Sequence, residues 1–299
     1  SLAAGPAVVS ALAGAGILPR GLELGVEFTG GRLGEYSTAS HMSVENAREA
    51  VTNAGFPRAV VQDSGEDKIS VRTGNLTNDQ EAEIRAALVE VSGDKVSKAR
   101  DELIGPSLGD ELRSNALIAL GVAFLAQMAY LAVRFRWTVG AAIVTAMAHD
   151  VLVLVGVFAW LGKPIDGVFL AALLTVIGYS VNDSVVVFDR VRELWGSQRT
   201  LGFPRIVNSA ILQTVPRTVN TGLGAVFILS ALAFLGGDSL TDFAIALLIG
   251  IGIGTYSSMF TAGPLAIELE RKSPSPSPRL KRTDGSRARL EGRNTGAVV

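Results

Sequence analysis

The sequence has no cysteine and only two histidines. Disulfides, thiolate nucleophiles and cysteine-ligated zinc are therefore excluded, and His41 and His149 alone make a histidine-rich metal site a poor expectation. Charge is also scarce. Asp, Glu, Lys and Arg make up 18% of the 299 residues, aromatics 6%, and the net charge is only −1. A soluble domain carries closer to a quarter charged residues. No nucleophile–base pair and no acidic metal cluster stands out, so an enzyme is the least supported class, and no cofactor is expected.

What replaces charge is apolar length. Apolar types reach 48%, with 33 glycines and a mean hydropathy of +0.36. Five runs approach the roughly 20 residues that cross a bilayer. They lie at 115–133, 139–161, 168–188, 218–235 and 240–269. The last is Gly-rich and long enough to tilt or break. Residues 2–18 read as the remnant of a first span (region 1–20), with a cleaved signal as the alternative. The expected fold class is thus a polytopic α-helical membrane protein with six spans, the first truncated.

Between the first span and the rest, residues 21–110 are mixed in character. Arg32 to Ala39 alternates as a strand, and Ser43 caps a helix running to Asn53. Two strands follow at 58–63 and 67–73, then a helix opened by a capping box of Asn78 and Glu81 and closed at Gly93, and a strand within 95–104. The order β-α-β-β-α-β predicts a ferredoxin-like α+β domain. GVEFTGGRLGE before it reads as a tight turn joining helix to sheet, since no helix follows its glycines to make a phosphate loop.

Arginines set the orientation. They fill RFRW, the stretch from Asp189 to Arg205, and the Pro/Ser/Arg-rich tail 271–299, whereas GKPID and GGDSLTD have almost none. The tail is expected to be cytoplasmic and disordered, and the small domain extracytoplasmic. Its basic charge can touch anionic lipid, and no specific nucleic acid is expected. FPRIVNSAILQTV (203–215) reads equally as an interfacial amphipathic helix or as the start of the next span.

One run is out of character. TVIGYSVNDSVVVFDRVR places Asn182 and Asp183 inside an apolar helix. Thr175, Gly178, Tyr179, Asn182 and Asp183 recur at helical spacing and define a polar face. A carboxylate at that depth costs about 2.5–3.5 kcal/mol on insertion scales, so it must face the bundle or water. Arg217, just after Pro216, shares a face with Asn220, Thr221 and Gly224, and its depth makes it the expected partner of Asp183. The bland alternatives are a neutral structural Asp and an Arg that reaches for headgroups. His149 and Asp150 lie mid-span, as a proton relay or a helix contact; as neighbours they point about 100° apart. Gly250, Gly254 and Ser258 form a small-residue stripe, read as close packing.

GVEFTGG, GPSLGDELRSNAL, AHDVLVLVG and above all TVIGYSVNDSVVVFDRVRE together resemble the SecD/SecF family of the bacterial Sec export machinery, of the SecF type, over roughly 22–269. The resemblance departs at Glu27, where the family usually has Asp. It implies an inner-membrane subunit of the RND superfamily that binds SecD and the SecYEG channel and uses protons to draw a translocating polypeptide outward. It also implies that Asp183, Arg217 and Asn182 carry the proton. An RND-type exporter of small molecules or lipids is the alternative, and it predicts a second repeat that this sequence lacks. A third reading is a purely structural scaffold.

Overall fold

The computed structural model describes residues 24–38, 42–65, 67–198, 200–236 and 238–274, plus a few isolated positions before them. The expected first span (1–20) and most of the tail (271–299) lie outside the described residues.

A single helical turn, α1 (Val26–Thr29), leads into β1 (Gly31–Thr38), α2 (Val44–Asn53), β2 (Val60–Asp63), β3 (Lys68–Thr73), α3 (Asn78–Ser92) and β4 (Val96–Ile104). The four strands form one antiparallel sheet in the order β2-β3-β1-β4. Alternation puts Tyr36, Ile69, Val71 and Val61 on one face, where they pack against Ala47 and Val51 of α2 and Ile84 and Leu88 of α3. The caps are local. Ser43 accepts from the Asn46 amide, and Gly93 closes α3 in the left-handed conformation. The capping box of α3, however, is Thr77 with Gln80, one residue before the expected Asn78/Glu81 pair. Glu81 is drawn inward instead, accepting from the Tyr36 hydroxyl at 3.0 Å and facing Lys98 at 3.4 Å.

Five long apolar helices follow: α4 (Pro106–Arg134), α5 (Trp137–Leu161), α6 (Gly167–Ser197), α7 (Phe203–Leu235) and a last one in three parts. These parts are α8 (Asp238–Ser257), a π turn (Ser258–Ala262) and α9 (Gly263–Lys272). The break anticipated in the last span is thus a widened turn within a continuous helix. Burial is uneven. About half of the apolar windows of α5, α6 and the last helix is buried, against 6% for α4 and 11% for α7. The centre is therefore α5, α6 and α8, with α4 and α7 flanking.

Two helix boundaries differ from expectation. α6 runs nine residues past Phe188, so Asp189 and Arg190 sit within the helix, Asp189 held by Arg134 at 2.6 Å. α7 begins at Phe203 rather than Thr218, with Pro216 inside it. Membrane helices tolerate an internal proline of this kind. FPRIVNSAILQTV is accordingly the start of the span, buried through Ile206, Val207 and Ala210.

The small domain is fastened to the bundle at the α5–α6 connection. Leu24 pairs with Ile165, the Gly25 amide donates to the Ile165 carbonyl at 2.9 Å, and the Gly167 amide donates to Glu27. Gly30 and Gly31 have φ of 69° and 126°, and a Cβ on Gly31 would lie 2.2 Å from the Thr73 carbonyl oxygen. Only glycine permits that turn from helix into sheet.

Candidate functional site

Asp183 is buried on α6, 7% exposed. Its two oxygens are held from two different helices: Thr218 of α7 donates to Oδ1 at 2.7 Å, and Ser258 of the π turn donates to Oδ2 at 2.8 Å. Hydrogen bonds to a charged group contribute about 1.5–3 kcal/mol each. Two of them match the roughly 2.5–3.5 kcal/mol cost of a mid-membrane carboxylate without any cation.

A second carboxylate lies beside it in the network. Asp150 of α5, 2% exposed, accepts from Ser180 of α6 and, at 2.7 Å, from Ser257 of α8, while its other oxygen is 3.1 Å from His149 Nδ1. His149 and Asp150 therefore do touch, although successive helical residues diverge; rotamer freedom covers the gap. Ser257 and Ser258 are consecutive and bind different carboxylates. The turn between them is where the helix widens, which aims two neighbouring hydroxyls at two helices. Ser184 Oγ, Thr261 Oγ1 and His149 Nε2 are buried without hydrogen-bond partners, so the cluster retains unused polar valences.

The expected Asp183–Arg217 pair is not formed. Arg217 is exposed and makes no hydrogen bond or ion pair among the described residues. The reason is helical phase. The buried edge of α7 is a period-four row, Ile206, Ala210, Thr214, Thr218 and Gly222, and residue 217 points about 100° away from residue 218. Asn220, Thr221 and Gly224 share that outward face and are exposed too. The polar face expected on α6 also splits. Asp183 turns inward on a row with Val176, Ser180, Ser184 and Val187, whereas Thr175 and Asn182 are exposed. Tyr179 is half-buried, its hydroxyl 3.7 Å from where a Cβ on Gly222 would stand.

The small-residue stripe faces α6. A Cβ on Gly250 would lie 2.1 Å from Val176 Cγ2, and one on Gly254 would lie 3.1 Å from Ser180 Cβ. Ser258 ends that stripe as a donor to Asp183, a role beyond the close packing expected of it. Thr218, Ser180 and Ser257 were not singled out by sequence. Their signal was the i, i+4 row on α7 and α6, which hydroxyl residues share with ordinary small packing residues.

Residues 84–272, which hold this whole cluster, match the family described as protein export membrane protein SecD/SecF, C-terminal. The protein translocase subunit SecF of Thermobaculum terrenum is 38% identical over 277 residues, 84% of this chain and 86% of that one. The chain belongs to the SecD/SecF family. Vibrio alginolyticus SecF is likewise 38% identical, over 83% of this chain and 80% of that one. The crystal structure of SecDF, a translocon-associated membrane protein from Thermus thermophilus, superposes with a TM-score of 0.82 at 36% identity, over 90% of this chain. The chain spans only 37% of that SecDF. A second SecDF crystal structure, in a super-membrane-facing form, gives a TM-score of 0.66 at 33% identity, over 97% of this chain and 38% of that one. With its five apolar helices and antiparallel sheet, the family member described here is a polytopic membrane protein.

Proposed function

We propose that the chain is a SecF-type accessory subunit of the Sec protein translocase, which works with a SecD partner and the SecYEG channel and uses proton movement through Asp183 to promote polypeptide export. The observation that carries this reading is Asp183 itself: a buried carboxylate held by one donor from α7 and one from the π turn. Protonation removes its charge and weakens both bonds, which frees α7 and the last helix to shift against α6. Arg217 sits next to Thr218, so a partial turn of α7, within the about 100° that separates them, would exchange a neutral donor for a cation. Asn182, Tyr179, Asn220 and Thr221 then line the route to that exchange.

The outward polar face of α7 supports a SecD-like partner. Arg217, Asn220 and Thr221 are exposed on a helix that is otherwise long and apolar, and intramembrane polar groups face protein or water. In the same reading the small domain is ferredoxin-like and extracytoplasmic, the arginine-rich connections and tail are cytoplasmic, the membrane is the bacterial plasma membrane, and the region 1–20 supplies a sixth span.

Proton flux into liposomes holding the chain with SecD and SecYEG tests the mechanism. Asp183→Asn should abolish flux and leave the complex assembled, and Thr218→Val with Ser258→Ala should reduce it. Undiminished flux in Asp183→Asn would sink the proposal.

A further inference from the structure

At the end of the bundle where α4 gives way to α5, a cleft of about 440 Å³ opens between that junction, α6 and the start of α7. Its lining includes Arg134, Arg136 and Arg192 and no acidic residue; the rest is aromatic or aliphatic. The three guanidiniums are not equally engaged. Arg134 is committed to Asp189 through both carboxylate oxygens, at 2.6 and 2.7 Å. Arg136 lies over the Trp195 ring at 5.1 Å, and its buried Nη1 is ion-paired with Glu270 at 3.7 Å without a hydrogen bond. Arg192 is exposed and makes no hydrogen bond or ion pair among the described residues.

We infer that this cleft binds an anionic phospholipid, its phosphate between Arg136 and Arg192 and one acyl chain along α4. Three features select that ligand over a peptide or a soluble anion. Arg192 supplies free donors in the planar fork that suits phosphate oxygens, and Arg136 adds its charge to the same lining. The cleft lies where the apolar spans end, the level of lipid headgroups, with Trp137 61% exposed at the same end. Finally, Tyr130 and Val133 of α4 line the cleft and are 48% and 92% exposed, so its wall runs on without a step into the outward apolar face of that helix. A free phosphate would use the first feature alone. Basic pockets between membrane helices are recognised lipid headgroup sites, and a surface-level arginine contributes roughly fivefold to such affinity.

Native mass spectrometry of the full chain, released from detergent after titration with dioleoylphosphatidylglycerol or dioleoylphosphatidylcholine, tests the assignment. The wild type should retain phosphatidylglycerol preferentially. Arg192→Gln, an exposed change that leaves the melting temperature intact, should weaken retention about fivefold, and Arg192→Lys should restore most of it. Equal retention of the two lipids, or wild-type retention in Arg192→Gln, would overturn the site. Displacement of phosphatidylglycerol by millimolar inorganic phosphate would also overturn it, because the acyl wall would then contribute nothing.

Discussion

Replacing Gly250 by Ala perturbs the tightest glycine contact among the described residues, where α8 meets α6. The added methyl would lie 2.1, 2.8 and 3.0 Å from Cγ2, Cγ1 and Cβ of Val176. Carbon atoms in contact prefer about 3.5–4.0 Å, so the helices must separate by roughly an ångström. Val176 cannot swing away, since a β-branched side chain in a helix has essentially one rotamer. Overpacking of this kind costs about 1–3 kcal/mol, and the better helix propensity of Ala offsets up to about 1 kcal/mol of it. A net loss near 1 kcal/mol lowers the melting midpoint by roughly 2–4 °C in chains of about 150–250 residues. Two further variants separate the terms. Gly252→Ala meets no atom within 4 Å and should report the propensity gain alone. Val176→Ala should cost about 1.6 kcal/mol for two methyls yet rescue Gly250→Ala, giving a coupling energy of about 2 kcal/mol. Thermal aggregation in detergent, followed by size-exclusion chromatography, reads the three single variants and the double variant against the wild type. A Gly250→Ala chain as stable as the wild type, or additive losses in the double variant, would refute the packing account.

Two carboxylates of the small domain give pH predictions of opposite sign. Arg32 and Lys98 hold the Asp101 carboxyl well below the usual range, so its contribution is fully present above that range and is lost as pH falls through it and below. Hydrogen exchange at β1 and β4 amides should show wild-type protection falling in acid. Asp101→Asn should lack protection already at neutral pH, and identical acid profiles would refute the pairing. Burial at the α1–α6 junction raises the Glu27 carboxyl above its ordinary value, against the lowering effect of the Gly167 amide. That group favours the folded form at low pH and loses its contribution as pH rises through its raised value. Glu27→Gln, which keeps an acceptor for Gly167, should therefore be at least as stable as the wild type at neutral pH, whereas Glu27→Leu should loosen the junction; a melting series from pH 4 to 8 decides.

The parts of this structure legible in sequence are those written in periodicity. Apolar runs separated the five long helices from the small domain, and alternation with local caps ordered its strands and helices. Asp183 stood out because a charge in such a run is costly. Its partners did not, because they depend on helical phase across two other helices. Arg217 drew the eye as an opposite charge, but the row that α7 buries is the period-four series ending in Thr214, Thr218 and Gly222, and a phase error of one residue replaces Thr218 by Arg217. Ser257 and Ser258 were obscured differently: Ser258 read only as the end of a packing stripe, and Ser257, about 100° away, serves a carboxylate on a different helix. The start of α7 stayed open in the sequence because residues 203–215 carry an amphipathic stripe that an interfacial helix and a buried helix start share.

The helix that carries Asp183 also carries the junction with the small domain, and this gives the proposed proton step a mechanical outlet. α6 is continuous from Gly167 to Ser197, so sixteen residues, about 24 Å, separate the amide bound by Glu27 from the carboxylate. Its first turn is fixed twice, by Glu27 on Gly167 and by Asp166 on Phe169, and the adjacent Ile165 pairs with Leu24. Helix shifts of about 1–2 Å are ordinary in switching proteins. Spread over about 24 Å, such a shift is a tilt of only about 2–5°. A change of bonding at Asp183 can therefore reach the sheet through a rigid rod and two short tethers, with no rearrangement of the domain itself. Glu27→Leu separates this route from a loop-transmitted one: if α6 is the lever, the variant should keep proton flux and lose the export that flux drives.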